Sequence, residues 1–139
     1  MVWLRVLAVV GISLAMAGVA ASASAAASAG EEDPCSVQVQ YPTGGATVSG
    51  VVTVPVTVNE AESFAPDKTE VFVDGVLAGT DDNPTPVTEG GCSGFLYYSE
   101  PLWDTTEWGN GSYQVQGRAT RADGSQFWSD NTITLTVAN

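Results

Sequence analysis

The chain predicts an all-β protein: an antiparallel β-sandwich of about seven strands, preceded by a signal peptide. Three observations carry this expectation. After residue 30, apolar residues recur with period two and never with helical spacing. Turn residues separate the alternating runs at short, regular intervals. The first thirty residues differ in composition from everything that follows.

The leader comes first along the chain. Arg5 is its only charge, and residues 6–21 are Val, Leu, Ile, Ala, Met and Gly, with Ser13 the one polar member. The small-x-small triplets Ala21-Ser22-Ala23, Ala23-Ser24-Ala25 and Ala27-Ser28-Ala29 follow. Charged start, apolar middle and small-residue exit are the order of a secretory signal. The expected division is a signal peptide over 1–29, a short linker over 30–35 and the sandwich over 36–139. A retained membrane anchor is the alternative, but the run is Ala/Gly-rich and short for the ~20 residues that a span needs.

The strands follow in order. Val37, Val39 and Tyr41 alternate with Ser36, Gln38 and Gln40, and Val52, Val54, Val56 and Val58 alternate with Thr53, Pro55 and Thr57. Asp74-Gly75 between Val71-Phe72-Val73 and Val76-Leu77-Ala78 is a two-residue hairpin signal. Tyr113, Val115, Gly117 and Ala119 alternate with Gln114, Gln116 and Arg118, and Ile133, Leu135 and Val137 alternate with threonines. The expected strands are about 36–41, 51–58, 69–73, 76–80, 94–103, 112–120 and 127–137. Two places resist this pattern. Pro55 lies mid-strand, where its missing N–H is tolerated only at an edge or bulge. Pro101 interrupts a segment with apolar residues on both parities, so a bend is expected near Glu100-Pro101.

Composition narrows the function classes. Without its leader the chain keeps Lys68, Arg118 and Arg121 against all sixteen acids, three minus sixteen, or −13. So acidic a domain repels phosphate backbones, which argues against nucleic acid as a partner, and the charge favours a soluble monomer. Cys35 and Cys92 are the only cysteines, and export puts them where disulfides persist. On an up-and-down path both fall at the same end of the sandwich, so a bridge is geometrically possible; two free thiols are the alternative.

The residues also resemble a known family. Tyr41-Pro42-Thr43-Gly44-Gly45-Ala46-Thr47-Val48-Ser49-Gly50 resembles the opening of bacterial immunoglobulin-like domains. Glu70 to Gly75 is similar to their first hairpin, and Gly79-Thr80-Asp81 to the segment after it. Trp103-Asp104-Thr105-Thr106 with Asn110-Gly111-Ser112-Tyr113 resembles strands five and six. Arg118 to Gly124 fits as well, except that Arg121 stands where the family has an acid. The resemblance covers about 36–138. It implies an immunoglobulin-like sandwich of the kind found in secreted glycoside hydrolases and cell-surface proteins, acting as spacer, adhesive unit or binder.

Catalysis is poorly supplied. There is no His, Lys68 is the only lysine, and the cysteines are expected to be paired. The expected activity is therefore binding, adhesion or structural support outside the cell or at its surface, without a cofactor. The partner would be an extracellular protein or a polysaccharide, with no membrane contact after signal cleavage. Candidate contacts are the aromatic residues Trp108, Trp128, Tyr97 and Tyr98, while Trp103 and Tyr113 are expected in the core. Glu60, Glu62, Asp67, Asp81, Asp82, Glu89 and Asp123 are expected to gather in loops at the cysteine end. They would be candidate Ca²⁺ ligands, although no loop has a dedicated ligand spacing. Two alternatives use other surfaces. One is a hydrolase inhibitor that presents the long 83–94 loop. The other is a free-standing carbohydrate-binding module that uses Trp108 and Trp128.

Overall fold

The alternating runs become strands, and several of them are broken in two. The computed structural model describes residues 32–62, 64–89 and 92–139, with Glu89 described by its backbone alone. The signal peptide expected over 1–29 lies outside these residues. Asp33–Asn139 is one compact unit. Among the described residues the strands are β1 (Ser36–Val39), β2 (Thr47–Val48), β3 (Val51–Thr53), β4 (Val56–Asn59), β5 (Pro66–Val73) and β6 (Val76–Asp81). They continue with β7 (Thr85–Glu89), β8 (Phe95–Ser99), β9 (Leu102–Asp104), β10 (Gly111–Arg121), β11 (Gln126–Trp128) and β12 (Ile133–Val137). A 3-10 turn over Thr105–Glu107 follows β9, and no α-helix occurs among the described residues.

One sheet runs β1-β4-β8-β7 and the other β2-β12-β10-β5-β6, with β11 also on β10 and a short β3-β9 ladder. Joining the broken strands (β3 with β4, β8 with β9, β11 with β12) gives the two-sheet order of an immunoglobulin-like sandwich. The path is not up-and-down: the chain changes sheet between β1 and β2, β2 and β3, β4 and β5, β6 and β7, and β9 and β10.

The prolines account for the breaks. β3 and β4 part at Val54-Pro55, and β8 and β9 part at Glu100-Pro101, where an expected ladder donor is missing. Val54 N donates instead to the Pro101 carbonyl (2.9 Å), and Gln40 N to the Pro55 carbonyl (2.9 Å). The interior holds two apolar clusters. Trp103 and Leu135 lie in one with Val39, Val54, Val71, Val73, Val115 and Val137. Val37, Val56, Val58 and Ala119 form the other. Thr69 Oγ1 donates to Ser99 Oγ (2.6 Å), which donates to the Val56 carbonyl (2.8 Å), so a buried hydroxyl pair ties the sheets together. In the β5–β6 hairpin, Asp74 (φ 47°) and Gly75 (φ 82°) are both left-handed. That is what a tight two-residue turn between twisted strands requires.

The structure corrects two expectations about the ends of the sandwich. The segment 83–94 is not one long irregular loop: Thr85–Glu89 is an edge strand on β8. Pro86 obscured it in the sequence, and an edge position tolerates a missing donor. The acids do not all gather beside the cysteines either, since Asp81 Oδ2 accepts from Glu100 N (2.7 Å), at the far end of β8. The cysteines themselves meet. Cys35 precedes β1, Cys92 lies in the turn before β8, and they form a disulfide with their Cα atoms 6.3 Å apart.

Candidate functional site

The outer face of the β1-β4-β8-β7 sheet carries a groove. Register sets its rows: Gln38 pairs with Thr57 and Thr57 with Tyr98, so the three side chains share one face across three strands. Val56 and Val58, of the opposite parity, are buried. One step further along the sheet lie Gln40, Pro55 and Glu100. Gln40, Tyr41, Thr53, Pro55, Thr57, Tyr98 and Glu100 line a groove of about 510 Å³. Pro55 is buried and projects little, so the middle strand forms a floor. Tyr41 and Gln40 rise on the β1 side, and Tyr98 and Glu100 on the β8 side.

The polar groups of this groove are held in place. Gln40 Nε2 donates to Gln38 Oε1 (3.1 Å) and to Thr57 Oγ1 (3.0 Å). Both amide hydrogens are thus engaged, which leaves the Gln40 carbonyl oxygen as an acceptor and the Thr57 hydroxyl hydrogen as a donor. Tyr41 is 62% exposed. Glu100 is the one carboxylate in the lining.

The aromatic candidates land in four different settings. Tyr98 is half-buried and lines the groove. Tyr97, next to it, has the inward parity of Val58 and packs on the second apolar cluster. Trp108 is half-buried over the main core, edge-to-face with Trp103 (5.8 Å between centroids) and Tyr113 (5.4 Å). Trp128 is exposed on β11, edge-on to Phe72 (4.8 Å), and the Arg118 guanidinium lies 5.1 Å from its ring. Trp108 and Trp128 do not make one platform. Tyr113, which Trp108 touches, and Arg118, which Trp128 faces, are separated by about 17 Å of β10. Trp103 is fully buried, and Tyr113 Oη donates to the Gly109 carbonyl (2.7 Å), the bond of a tyrosine corner.

No protein-family model matches the chain, and no curated protein matches it in sequence. Among solved structures, the endo-β-1,4-mannanase from Thermotoga petrophila superposes at TM-score 0.51 and 17% identity, over 80% of this chain and 21% of that one. The chain thus spans about a fifth of the mannanase's length. A fibronectin(III)-like module of Clostridium thermocellum CbhA aligns at TM-score 0.45 and 14% identity, over 73% of this chain and 93% of that one. An engineered protein aligns at TM-score 0.44 and 26% identity, over 77% of this chain and 20% of that one. The fold is an immunoglobulin-like β-sandwich.

Within that sandwich two ion pairs engage four of the charged residues. Arg121 pairs with Glu60 at 2.8 Å; their side chains are 3% and 1% exposed. Its guanidinium also lies 4.1 Å from the Phe64 ring centroid and 4.7 Å from that of Phe127. Glu60 is therefore a buried ion-pair partner and not an open calcium ligand. Arg118 pairs with Glu70 at 2.8 Å on the outer face of the other sheet. Asp123 Oδ1 accepts from Ser125 N (2.9 Å). Among the described residues, no three of His, Cys, Asp and Glu converge in a way that could hold a metal ion. Asp104 caps the 3-10 turn. The Thr106 hydroxyl, and then the Thr106 N–H, hold its carboxyl below the ordinary 3.8.

Of the groove's lining, sequence reasoning singled out Tyr98 as a contact but not Gln40, Thr53, Pro55, Thr57, Glu100 or its second tyrosine, Tyr41. Alternation put it on the inner face with Val37 and Val39. However, β1 ends at Val39, and beyond a strand's end its parity no longer applies.

Proposed function

We propose that this chain is an exported, non-catalytic binding module whose recognition surface is the Tyr41–Tyr98 groove. The observation that carries this reading is the groove itself: two tyrosines flank a proline floor, beside amide and hydroxyl groups already locked by hydrogen bonds. Such preorganisation lowers the entropy cost of binding, because the site does not have to order itself around the ligand. Disulfides persist in oxidising compartments, so the Cys35–Cys92 bond supports an extracellular or cell-surface setting. A lone carboxylate in the lining supports a non-catalytic role, since glycoside hydrolysis needs a facing pair. The inhibitor alternative loses its physical basis because Thr85–Glu89 is pinned in a sheet.

The test is depletion from solution. The full chain, expressed in an exporting bacterial host, is mixed with insoluble extracellular and cell-wall material of that host's culture. The wild-type protein is expected to leave the supernatant, and Tyr41→Ala with Tyr98→Ala to remain in it. Equal depletion of wild type and variant would show that the groove is not the recognition surface.

A further inference from the structure

Resting on the groove being the binding surface, we infer that it takes a neutral polysaccharide, with a pyranose ring laid on Tyr98 or Tyr41. Four observations select this ligand class.

The first is the pairing of ring faces with fixed polar groups. A pyranose has a face of C–H groups that packs against an aromatic ring, and an edge of hydroxyls that both donate and accept. The groove offers the matching set. Tyr41 is 62% exposed, and Tyr98, half-buried, lines the β8 side. The Gln40 carbonyl oxygen and the Glu100 carboxylate accept, and the Thr57 hydroxyl donates.

The second is charge. Glu100 is the only charged side chain in the lining, and the domain around it is strongly acidic. Lys68, Arg118 and Arg121 all lie on the β5–β10 pair of the opposite sheet. A phosphorylated, sulfated or uronic-acid ligand would meet repulsion with no basic partner. A neutral sugar meets none.

The third is polarity. Four of the seven lining residues, Gln40, Thr53, Thr57 and Glu100, are polar, and an apolar peptide or lipid covering them would leave donors and acceptors without partners. The fourth is shape. The groove crosses β1, β4 and β8, a width of roughly 10 Å at ordinary strand spacing. It lies open on a sheet face, so it suits a chain passing over the surface better than a small molecule enclosed in a cavity.

The experiment is native gel electrophoresis of the full chain through gels containing a soluble polysaccharide. The neutral probes are hydroxyethylcellulose, glucomannan, xylan and galactan; polygalacturonate is the anionic control. At least one neutral probe is expected to slow the protein, and polygalacturonate not to. Tyr98→Ala is expected to weaken that affinity about tenfold, as loss of one stacked ring does, while Tyr98→Phe stays near wild type. Tyr41→Ala, at an exposed position, provides the same readout if Tyr98→Ala fails to fold. Trp128→Ala is expected to bind like wild type. Retardation by no neutral probe, equal retardation by polygalacturonate, or loss of binding only in Trp128→Ala would each overturn the assignment. If depletion onto insoluble extracellular material remains groove-dependent while every neutral probe fails, the groove keeps its binding role and the glycan assignment falls alone.

Discussion

Glu60 and Arg121 are each charged, each nearly inaccessible, and joined only through the fold: Glu60 follows β4 and Arg121 ends β10. Removing one partner leaves the other buried and uncompensated, at a cost of about 3–5 kcal/mol. Replacing both with apolar residues of similar size removes the desolvation penalty together with the attraction. Glu60→Ala and Arg121→Ala are each expected to lower urea-unfolding stability by about that amount, and Glu60→Leu with Arg121→Met by far less. A double variant as unstable as the singles would mean that the ring contacts with Phe64 and Phe127, and not the charge pair, hold this corner. Asp104 behaves differently because it is only half-buried and makes no ion pair among the described residues. Its folded pKa lies below the ordinary value, so its contribution to stability is complete above 3.8 and fades as pH falls through the lower folded value. The melting-temperature gap between wild type and Asp104→Asn is therefore expected to be constant near neutrality and to close in acid. A gap that widens in acid would contradict the capping role.

At the scale of elements, the sandwich edge depends on a missing side chain. β6 presses its backbone against β9 so closely that a Cβ on Gly79 would lie 1.9 Å from the Leu102 carbonyl oxygen. Backbone cannot yield as a flexible side chain can, so Gly79→Ala must push the two strands apart. The expected loss is about 1–3 kcal/mol, an overpacking cost, measurable by thermal unfolding. A neutral result would place the strand contact elsewhere. Much of this element structure was legible in the sequence. The Asp74-Gly75 hairpin and the break at Glu100-Pro101 were each signalled by local chemistry. Arg121 and Glu60 were legible in principle: each continues the inward parity of its strand, beyond Ala119 and Val58, and two opposite charges at inward positions suggest a buried pair. What the sequence hid depended on tertiary context. β7 carries Pro86 and a register shift before Thr88, so it shows no clean alternation, and only an edge partner makes it a strand. Tyr41 left the pattern because β1 stops at Val39: opposite Gln40 stands Pro55, which accepts from Gln40 N (2.9 Å) but has no N–H to return. The groove combines both effects, since its rows exist only once β1, β4 and β8 are placed side by side.

For the whole molecule, the disulfide and the groove lie at opposite ends of β8. Cys92 precedes its first residue, and Tyr98 and Glu100 flank its last. The crosslink spans 57 residues of sequence, and in the chain-entropy account closing so long a loop stabilises the fold by about 4 kcal/mol. That contribution acts on the unfolded chain, which the bond keeps compact, and not on the geometry of any native surface. The groove's own order comes from Gln38, Gln40 and Thr57, whose hydrogen bonds do not involve either cysteine. Stability and recognition are therefore expected to separate. Cys35→Ala with Cys92→Ala should unfold at a lower urea concentration by about that free energy. While still folded, it should be slowed by the same polysaccharide as wild type. Loss of retardation in a variant whose circular dichroism remains that of the native sandwich would show that the crosslink reaches through β4 and β8 to shape the groove.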